Sequence, residues 1–383
     1  MNSGLPARIA LMLGNFIIGL GVLAPTGMLD QLAKGLAVDV GSAGLLVTYG
    51  AVVLCLGSPL MAWATTRIDR RTLLGGTLLI FALGHVFSAL APSYAVLLAI
   101  RLLMLVFAAV YTPQAASTVA LIVPEKERPS AIAFVFLGWS LAVAVGLPVV
   151  TTVADHLGWR ATFALLGGLA SVSFLLLAFT LPAGLIGAPV SFATWTKVGR
   201  NRLIRLLLLI TVLQAASSFL NFTYLGPLIT ALAGGGPHEI AAFFAIAGVT
   251  GFVGNVIATR LVVLIGPYRV SLLFQASMLV GLITWSLGAG SLVVMAIGIG
   301  FWGLAFAALN SMQQARLVGA DPKLASASVA LNTSSIYVGQ AIGSGLGGLM
   351  FTHGYDYAMG YAGVAFLLAA LGTIMLTRPK QPA

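Results

Sequence analysis

Three ionisable side chains stand within or beside long apolar segments, where a charge is costly and usually serves a function. Arg101 lies about two turns inside an apolar helix, and a buried guanidinium can bind carbonyl oxygens, carboxylates or anions. His85 lies within the preceding apolar segment, and an imidazole can exchange a proton near neutral pH. Asp30 ends the first apolar segment. These three residues are the candidates for proton coupling, and Asp30 and His85 are the two among them that can bind and release a proton.

Each of the three also has a purely structural interpretation. Arg101 could bind backbone carbonyls or extend its head group to the membrane surface. His85 could hydrogen-bond to a neighbouring helix, and Asp30 could cap a helix end. All nine acidic residues lie near the ends of apolar segments or between them, so none of the segments carries a carboxylate in its middle. Both interpretations stay open for each residue.

Neutral polar and aromatic side chains recur inside the apolar segments. Such donors, acceptors and rings suit a pocket for a neutral or weakly charged organic molecule. The same side chains can instead join helices by hydrogen bonds, and we expect about half of them to do so. The candidates for a binding cavity are Asn15, Tyr49, Tyr111, Gln114, Trp139, Gln214, Asn221, Tyr224, Asn255, Trp302, Asn310, Gln313, Asn332 and Tyr337.

Motifs for cofactor or metal chemistry are not supported. The strings at 298–303 and 343–348 fit the glycine pattern of dinucleotide-binding loops, but both lie inside membrane-length apolar segments instead of between a strand and a helix. The sequence contains no phosphate-binding loop, metal-ligand cluster or nucleophile elbow, and Cys55 is its single cysteine. We therefore expect no cofactor, no metal and no enzymatic activity.

The composition places these residues in a membrane. Of 383 residues, 60% are hydrophobic and 7% charged, whereas a soluble domain carries about 25% charged residues. Mean hydropathy is +1.06. At about 20 residues per span, the sequence predicts twelve transmembrane helices near 9–30, 43–64, 73–91, 95–122, 131–153, 161–182, 203–232, 240–263, 269–288, 292–314, 325–350 and 358–376.

The basic residues fall on one side of the predicted membrane. With both termini in the cytoplasm, sixteen of the nineteen lysine and arginine residues lie on the cytoplasmic side, as the positive-inside rule requires. Lys34 and Arg160 lie on the other side, and Arg101 lies within a span. The net charge of +10 thus indicates topology and no nucleic-acid partner, because the basic residues form no patch interleaved with aromatics.

The longest predicted cytoplasmic connection divides the chain into two six-helix bundles. We place the N-terminal bundle at 1–183, a cytoplasmic linker at 184–202 and the C-terminal bundle at 203–383. A shift of 197 residues superposes glycines and a histidine at corresponding points of the two halves. The matched pairs are Gly57 with Gly254, Gly84 with Gly281, Gly146 with Gly343, and His156 with His353.

Small residues at every fourth position form a stripe on the fifth predicted helix. Gly138, Ala142 and Gly146 make up the stripe, and Pro148 follows it. Such a groove lets a neighbouring backbone approach closely in the membrane. The 197-residue shift places a second stripe on the eleventh helix, formed by Ser335, Gly339, Gly343 and Gly347.

Several motifs at characteristic places carry a family resemblance. They are Arg101 and the segments 67–71, 146–148, 158–160, 222–227, 251–255, 301–303 and 330–332. With them, the whole chain resembles the major facilitator superfamily and, more narrowly, its twelve-helix drug–proton antiporter branch, close to arabinose-efflux-permease-like transporters. The resemblance implies an all-α membrane fold of two pseudo-symmetric bundles. It also implies that Arg101 takes part in proton coupling. It further implies that the stripes on the fifth and eleventh helices contact the opposite half and form part of the surface on which the halves rock.

The loop between the second and third helices matches its family motif in part. It contains Arg67, Asp69, Arg70 and Arg71, while the family's acid and glycine positions fall on Thr66 and Asp69. The resemblance implies a gating role for this loop, and the positive-inside rule favours a membrane anchor. Proton-coupled relatives also carry an acid in the first helix, near Gly21 or Val22 of this chain, where no acid stands.

The leading hypothesis is therefore a secondary transporter that exports a small organic solute, such as a drug, sugar or nucleoside, in exchange for protons. An uncoupled facilitator of a neutral solute is the alternative, because no span carries a central carboxylate. A membrane sensor that binds a ligand without transporting it is a third. We expect a monomer in a bacterial inner membrane, with a small-molecule substrate, protons and the lipid bilayer as its partners.

Overall fold

The computed structural model describes residues 4–65, 67–186, 192–321 and 324–378, and within them the chain is helical and contains no strand. The α-helices are α1 (Leu5–Leu23), α2 (Leu29–Leu36), α3 (Val40–Ala64), α4 (Arg70–Ala89), α5 (Tyr94–Ile122), α6 (Arg128–Leu141), α7 (Leu147–Thr180), α8 (Phe192–Arg200), α9 (Arg202–Phe222), α10 (Leu225–Ala233), α11 (Pro237–Leu287), α12 (Leu292–Ala320), α13 (Ala325–Thr352) and α14 (Asp356–Leu376).

Two of these helices contain a reversal that divides each into two membrane spans. Among the described residues, nine helical stretches are long and apolar enough to cross a membrane, and two of them are 51 residues long. Gly158 and Gly266 interrupt these two with φ values of 82° and 76°, which only glycine adopts without strain. The 28-residue α13, whose glycines and hydroxyl residues lower its hydropathy, completes twelve spans.

The spans are numbered along the chain. Span 1 comprises α1, the 3₁₀ segment Ala24–Met28 and α2; spans 2, 3 and 4 are α3, α4 and α5. Spans 5 and 6 are α6 with α7, divided at Gly158, and span 7 is α9 with α10. Spans 8 and 9 are α11, divided at Gly266, and spans 10, 11 and 12 are α12, α13 and α14. The prediction of twelve membrane helices is confirmed.

The alternating direction of the spans gives the molecule two chemically different ends. We call the end that carries Arg67, Arg128 and Arg202 the basic end. We call the opposite end, which carries Asp39 and Glu239, the acidic end. The chain turns back at both reversals and at the short loops, so each span runs from one of these ends to the other.

Close backbone packing on glycine holds spans 9 and 10 together. A Cβ added at Gly281 would lie 2.5 Å from the backbone nitrogen of Trp302, and one added at Gly298 would lie 2.5 Å from the backbone nitrogen of Trp285. Each helix thus presses its backbone against a glycine of the other. Because lipid supplies no hydrophobic drive for helix association, this dispersion contact is a main stabilising term.

Replacing Gly281 with alanine is expected to lower the free energy of unfolding by about 1–3 kcal/mol, the usual cost of overpacking. The thermal midpoint of the purified protein in detergent measures the effect. Gly76 supplies a matched control, because a Cβ added there meets nothing within 4 Å. Equal midpoints for the Gly281→Ala and Gly76→Ala variants would contradict the packing argument.

The repeat between the halves differs in register from the 197-residue shift in two pairs of spans. Gly138 packs on the Met12 carbonyl, and Gly339 packs on the Val212 carbonyl. Val212 lies 200 residues after Met12, and Gly339 lies 201 residues after Gly138. The same relation holds for Gly146 on Leu20 and Gly347 on Leu220. Spans 1 and 5 therefore match spans 7 and 11 at shifts of 200 and 201.

The prediction that the glycine stripe faces the opposite half is wrong. Gly138 and Gly146 both contact span 1 of their own bundle, and Ala142 is fully buried. Span 5 reaches the other half through Ala144, because a Cβ added at Gly248 of span 8 would lie 2.3 Å from the Ala144 backbone nitrogen. The stripe thus packs span 5 against span 1 of the same bundle, and the opposite face of span 5 makes the contact with the other bundle.

The stripe on span 11 behaves in the same way. Gly339, Gly343 and Gly347 all pack on span 7, which belongs to the same half. The predicted pairing of Gly343 with Gly146 is wrong as well, because Gly347 takes that place. A π-helical segment, Ala142–Gly146, widens span 5 at the level of Ala144, and such segments often mark functional sites.

Helix α8 lies inside the predicted linker and packs on the C-terminal half. Val198 of α8 is fully buried in an apolar cluster with Ile204, Leu207, Leu317 and Ile374. Residues 187–191 of the linker lie outside the described residues, as do Thr66 and Lys323. The described end of the linker is therefore attached to the C-terminal bundle.

Candidate functional site

A cavity of about 470 Å³ lies between the two bundles. Spans 1, 4 and 5 line it from the N-terminal half, and spans 7 to 11 line it from the C-terminal half. Ile132, Thr259 and Gln314 belong to the lining, and each lies within about two turns of the basic end of its span. The cavity therefore extends from the centre of the molecule towards the basic end.

At the acidic end the two bundles contact each other. The Thr48 and Ser344 hydroxyls lie 2.9 Å apart, and the Thr352 hydroxyl donates to the Asp39 carboxylate at 3.2 Å. Gly44 faces Tyr224 so closely that an added Cβ would lie 2.0 Å from the Tyr224 hydroxyl oxygen. We call the contact of span 2 with spans 7 and 11 at this end the seal. The seal separates the cavity from the acidic end.

Glycines of both halves build the seal. A Cβ added at Gly41 would lie 2.9 Å from the Gly348 carbonyl oxygen, and Gly345 packs on Thr48. The predicted gating loop at 67–71 has no part in this contact, because it lies at the basic end. Sequence reasoning missed the seal glycines, since nothing distinguishes them among 45 glycines.

Seven of the fourteen predicted binding residues line the cavity. They are Trp139, Gln214, Asn255, Trp302, Asn310, Gln313 and Tyr337. Of the remaining seven, Tyr49 is 44% exposed. The other six are buried away from the cavity, where they pack or bond between helices: Asn15, Tyr111, Gln114, Asn221, Tyr224 and Asn332.

Asn15 links three spans of the N-terminal half. Its amide nitrogen donates to the Val135 carbonyl at 2.9 Å, and its amide oxygen accepts from the Thr112 hydroxyl at 2.7 Å. The Trp139 indole nitrogen donates to the same hydroxyl at 3.2 Å. These bonds fix the orientation of Trp139 at the edge of the cavity.

A second polar network supports the cavity wall in the C-terminal half. The Gln214 amide nitrogen donates to the Gln275 amide oxygen at 2.7 Å. The Thr211 hydroxyl donates to the Asn332 amide oxygen at 2.7 Å, and the Asn332 nitrogen donates to Asn310 at 3.2 Å. Asn332 and Gln275 thus act behind the wall, positioning residues that face the cavity.

Stacked rings form the apolar part of the same wall. The Trp302 ring lies 5.4 Å from both Phe222 and Phe306, at interplanar angles of 19° and 20°. Phe219 meets Phe306 edge to face at 6.2 Å. All four rings line the cavity. The sequence does not single out the three phenylalanines, because a phenylalanine that lines a cavity carries no hydrogen-bonding atom to distinguish it from one that packs between helices.

No charged side chain lines the cavity within the part of the chain that the structure describes. A cation is buried behind the wall, where Arg316 donates to the Gln313 amide oxygen at 3.3 Å and also bonds the Thr377 hydroxyl. Its guanidinium lies 5.5 Å from the Tyr268 ring centre. An uncharged lining disfavours ions as ligands, because an unpaired charge is costly to bury.

Arg101 is fully buried in the N-terminal bundle, away from the cavity lining. Its Nη2 donates to the carbonyls of Gly21 at 3.0 Å and Val22 at 3.5 Å, and its guanidinium lies 5.6 Å from the Phe163 ring centre. Nε and Nη1 have no hydrogen-bond partner, and no carboxylate among the described residues forms an ion pair with Arg101. The cation therefore retains two donors for a further ligand.

His85 lies in the same pocket. Its Nδ1 donates to the Phe81 carbonyl at 2.8 Å, and its ring packs 5.9 Å from Phe163. Nε2 is buried without a hydrogen-bond partner. A Cβ added at Gly21 would lie 2.7 Å from the His85 ring, so His85 and Arg101 contact the same turn of span 1. The sequence did not indicate this pairing.

Asp30 stands in the first turn of α2, with Lys34 one turn later. It is partly buried, and it forms no ion pair with Arg101 or His85 among the described residues. Of the three candidates for proton coupling, the structure thus places Arg101 and His85 in one pocket and leaves Asp30 apart from them, at the acidic end.

Asp69 joins the loop at 67–71 to the end of span 6. Its carboxylate accepts from the backbone nitrogens of Thr72 at 3.1 Å, Gly184 at 2.6 Å and Leu185 at 2.9 Å. Arg71 also donates to the Ala178 carbonyl. Desolvation alone would raise the pKa of Asp69, but these three N–H groups outweigh it and hold the pKa below its ordinary value.

Replacing Asp69 with asparagine is expected to lower the thermal midpoint at pH 7, because one amide oxygen cannot replace a carboxylate that accepts three backbone bonds. A lowered folded-state pKa stabilises the protein above the unfolded pKa of about 3.9, and this stabilisation is lost as pH falls. The thermal midpoint of the variant should therefore fall less than that of the wild type as the pH is lowered. Glu125→Gln is the control, since Glu125 is exposed; equal midpoints for both variants would contradict the assignment.

Comparisons with known proteins agree with this geometry. The sequence profile of the Major Facilitator Superfamily matches residues 11–323. The chain belongs to the Major Facilitator Superfamily. As a member, it is a membrane transport protein and not an enzyme.

This chain matches individual relatives over nearly its whole length. It is 30% identical over 382 residues to the inner membrane transport protein YdhP of Escherichia coli strain K12, covering 98% of this chain and 96% of YdhP. It is 25% identical to a probable sugar efflux transporter of Mannheimia succiniciproducens, at 96% and 91% coverage. The crystal structure of a D-xylose–proton symporter has the same fold, with a TM-score of 0.77 at 17% identity and 96% coverage of both chains.

Proposed function

We propose that this chain exports a small neutral organic solute across a bacterial inner membrane by alternating access, in exchange for protons. The observation that carries the proposal is the uncharged cavity between two pseudo-symmetric bundles, closed at one end by the seal. A site shared by two repeats is the arrangement that rocking of the repeats exposes to each side in turn. The name of the sugar efflux relative supports the outward direction.

The membrane orientation follows from charge. The basic end collects most of the arginines, and positive residues stay in the cytoplasm during insertion. Both termini then lie in the cytoplasm. With this orientation, the cavity faces inward and the seal closes the periplasmic side. We further propose that the protein works as a monomer within the lipid bilayer.

Proton coupling is assigned to the pocket of Arg101 and His85. His85 has one free ring nitrogen, and Arg101 has two free donors. Both residues contact the turn of span 1 that precedes the 3₁₀ segment Ala24–Met28. A proton gained or lost at His85 would change the charge beside Arg101 and thereby the shape of span 1.

An uncoupled facilitator is the second candidate. The observation that favours it is the absence of any carboxylate from the cavity lining among the described residues. A facilitator needs the cavity and the seal, whereas it does not need a titrating group. The pocket of Arg101 and His85 would then be structural.

Proteoliposomes with an imposed pH gradient distinguish these functions. Exchange predicts uphill movement of a solute from a panel of sugars, nucleosides and neutral drugs, with the direction reversing when the gradient reverses. Equilibration that ignores the gradient would replace exchange with facilitated diffusion. Binding without flux under either condition would reject transport in favour of a membrane sensor.

A further inference from the structure

The two walls of the cavity differ in chemistry. All six amide side chains that line it among the described residues belong to the C-terminal half: Gln214, Asn255, Asn310, Gln313, Gln314 and Gln340. The N-terminal half contributes mainly apolar groups, Leu23, Ile132, Ala133, Phe136, Leu137, Trp139 and Val143, with the hydroxyls of Thr112 and Ser140. The two halves share a fold, but the residues with which they line the cavity do not follow the pseudo-symmetry.

The polar groups of the N-terminal wall are largely engaged. The Thr112 hydroxyl donates to Asn15 at 2.7 Å and accepts from the Trp139 indole nitrogen at 3.2 Å. The single donors of Thr112 and Trp139, and one of the two acceptor sites of the Thr112 hydroxyl, are thus used inside the protein. Among the described residues of this wall, the Ser140 hydroxyl is the one side-chain donor left for a ligand. This wall suits an apolar surface.

The C-terminal wall keeps unpaired groups on span 11. Tyr337 and Gln340 stand one turn apart on the helix face that lines the cavity, with Thr333 one turn before them. Gln340 is 2% exposed and Tyr337 is 9% exposed. Neither side chain bonds to another described residue, unlike Gln214, Asn310 and Gln313. Buried polar groups of this kind normally find a partner.

We infer that the cavity takes a neutral amphipathic molecule with a hydroxyl-bearing end on span 11 and an apolar end on span 5. Amide and phenol groups both donate and accept, as hydroxyl groups do, so the two sides match without a charge. Trp139, Phe136 and Val143 cover the apolar end. This inference rests on the proposed function, because it names the class of solute for the same cavity.

Gln340 and Tyr337 determine specificity in this arrangement. They recognise the polar end, whereas Gln275 and Asn332 only position other residues of the wall. A carboxylate in place of a hydroxyl would be buried without a cation, since the lining carries none among the described residues. The cavity therefore selects a neutral solute over an anion of the same shape.

Isothermal titration calorimetry of the purified protein in detergent tests the inference with four probes. Phenyl β-D-glucopyranoside has both ends, D-glucose has only the hydroxyl-bearing end, and anisole has only the apolar end. Phenyl β-D-glucuronide keeps the complete shape but carries a carboxylate in place of one hydroxymethyl group. The glucoside is expected to bind at least about tenfold more tightly than the other three, because loss of the apolar end or burial of the charge each removes that much. Equal binding by glucose or by the glucuronide, or no binding by any probe, would overturn the inference.

Variants locate the polar end. Gln340→Leu should weaken glucoside binding about tenfold, as loss of a buried hydrogen bond predicts, and Tyr337→Phe provides a second test if the first variant does not fold. Gln31→Leu makes the same chemical change in α2, outside the cavity, and should leave binding unchanged. Unchanged binding in both cavity variants would overturn the placement on span 11.

Flux of the same glucoside in proteoliposomes separates this inference from the proposed function. Selective binding without flux would confirm the inference and reject transport of this probe class. Uphill transport of another solute without selective glucoside binding would confirm transport and overturn the inference.

Discussion

Replacing Arg101 with alanine is expected to abolish proton-driven transport while the protein still folds and reaches the membrane. The variant loses the bonds to the Gly21 and Val22 carbonyls and the buried cation over Phe163. Hydrogen bonds to a charged group contribute about 1.5–3 kcal/mol, which corresponds to roughly 10- to 150-fold in rate. Uphill uptake into proteoliposomes under a fixed pH gradient measures the loss.

Arg101→Lys is the informative companion to this variant. Lysine keeps the charge, but it lacks the planar guanidinium, whose Nη2 donates to both carbonyls while Nε and Nη1 stay unpaired. We expect partial uphill transport from it. Expression level and thermal midpoint are measured for both, so that misfolding is distinguished from lost coupling. Wild-type uphill transport by Arg101→Ala would remove Arg101 from the mechanism.

Replacing Gly44 with alanine is expected to open the seal. The added Cβ would lie 2.0 Å from the Tyr224 hydroxyl oxygen and 2.5 Å from Cζ. The Tyr224 ring cannot yield easily, because it is buried, stacks on Phe351 at 5.9 Å and donates to the Ser344 carbonyl at 3.0 Å. Overpacking of about 1–3 kcal/mol would shift the ratio of open to closed molecules by roughly 5- to 150-fold.

A cysteine at Ser344 can report this shift. Ser344 is fully buried in the seal, so Ser344→Cys in a Cys55→Ser background should react with an impermeant maleimide only when the seal opens. Gly44→Ala should accelerate labelling from the acidic end. Gly168→Ala is the control, since a Cβ there meets nothing within 4 Å. Equal labelling rates in the two variants would show that Gly44 does not hold the seal.

The sequence predicted the twelve spans because hydropathy and span length are local properties. Gly158 and Gly266 marked reversals within two continuous helices, and the predicted loops fell at both places. The motifs also identified the family. Half of the predicted binding residues line the cavity, as expected when interhelical bonding and ligand binding use the same side chains.

Contacts between distant spans were not predictable in the same way. The stripe at Gly138 and Gly146 showed that some backbone approaches closely, but the partner, span 1, depends on how the bundle closes. A uniform 197-residue shift concealed the different register of spans 1, 5, 7 and 11. The seal glycines Gly41 and Gly44 and the free side chain of Gln340 carry no local signal, because their roles arise only when both halves meet.

The makeup of the seal has a consequence for kinetic measurements. Its contacts are backbone surfaces and hydroxyls, and its one carboxylate, Asp39, has its pKa held below the ordinary value by hydrogen bonds from Ser42. Between pH 5 and pH 8, roughly, and across moderate salt concentrations, neither ionisation nor ionic screening should alter its closure. A pH profile of turnover would then carry no contribution from the gate and would test the proton coupling proposed for the pocket of Arg101 and His85.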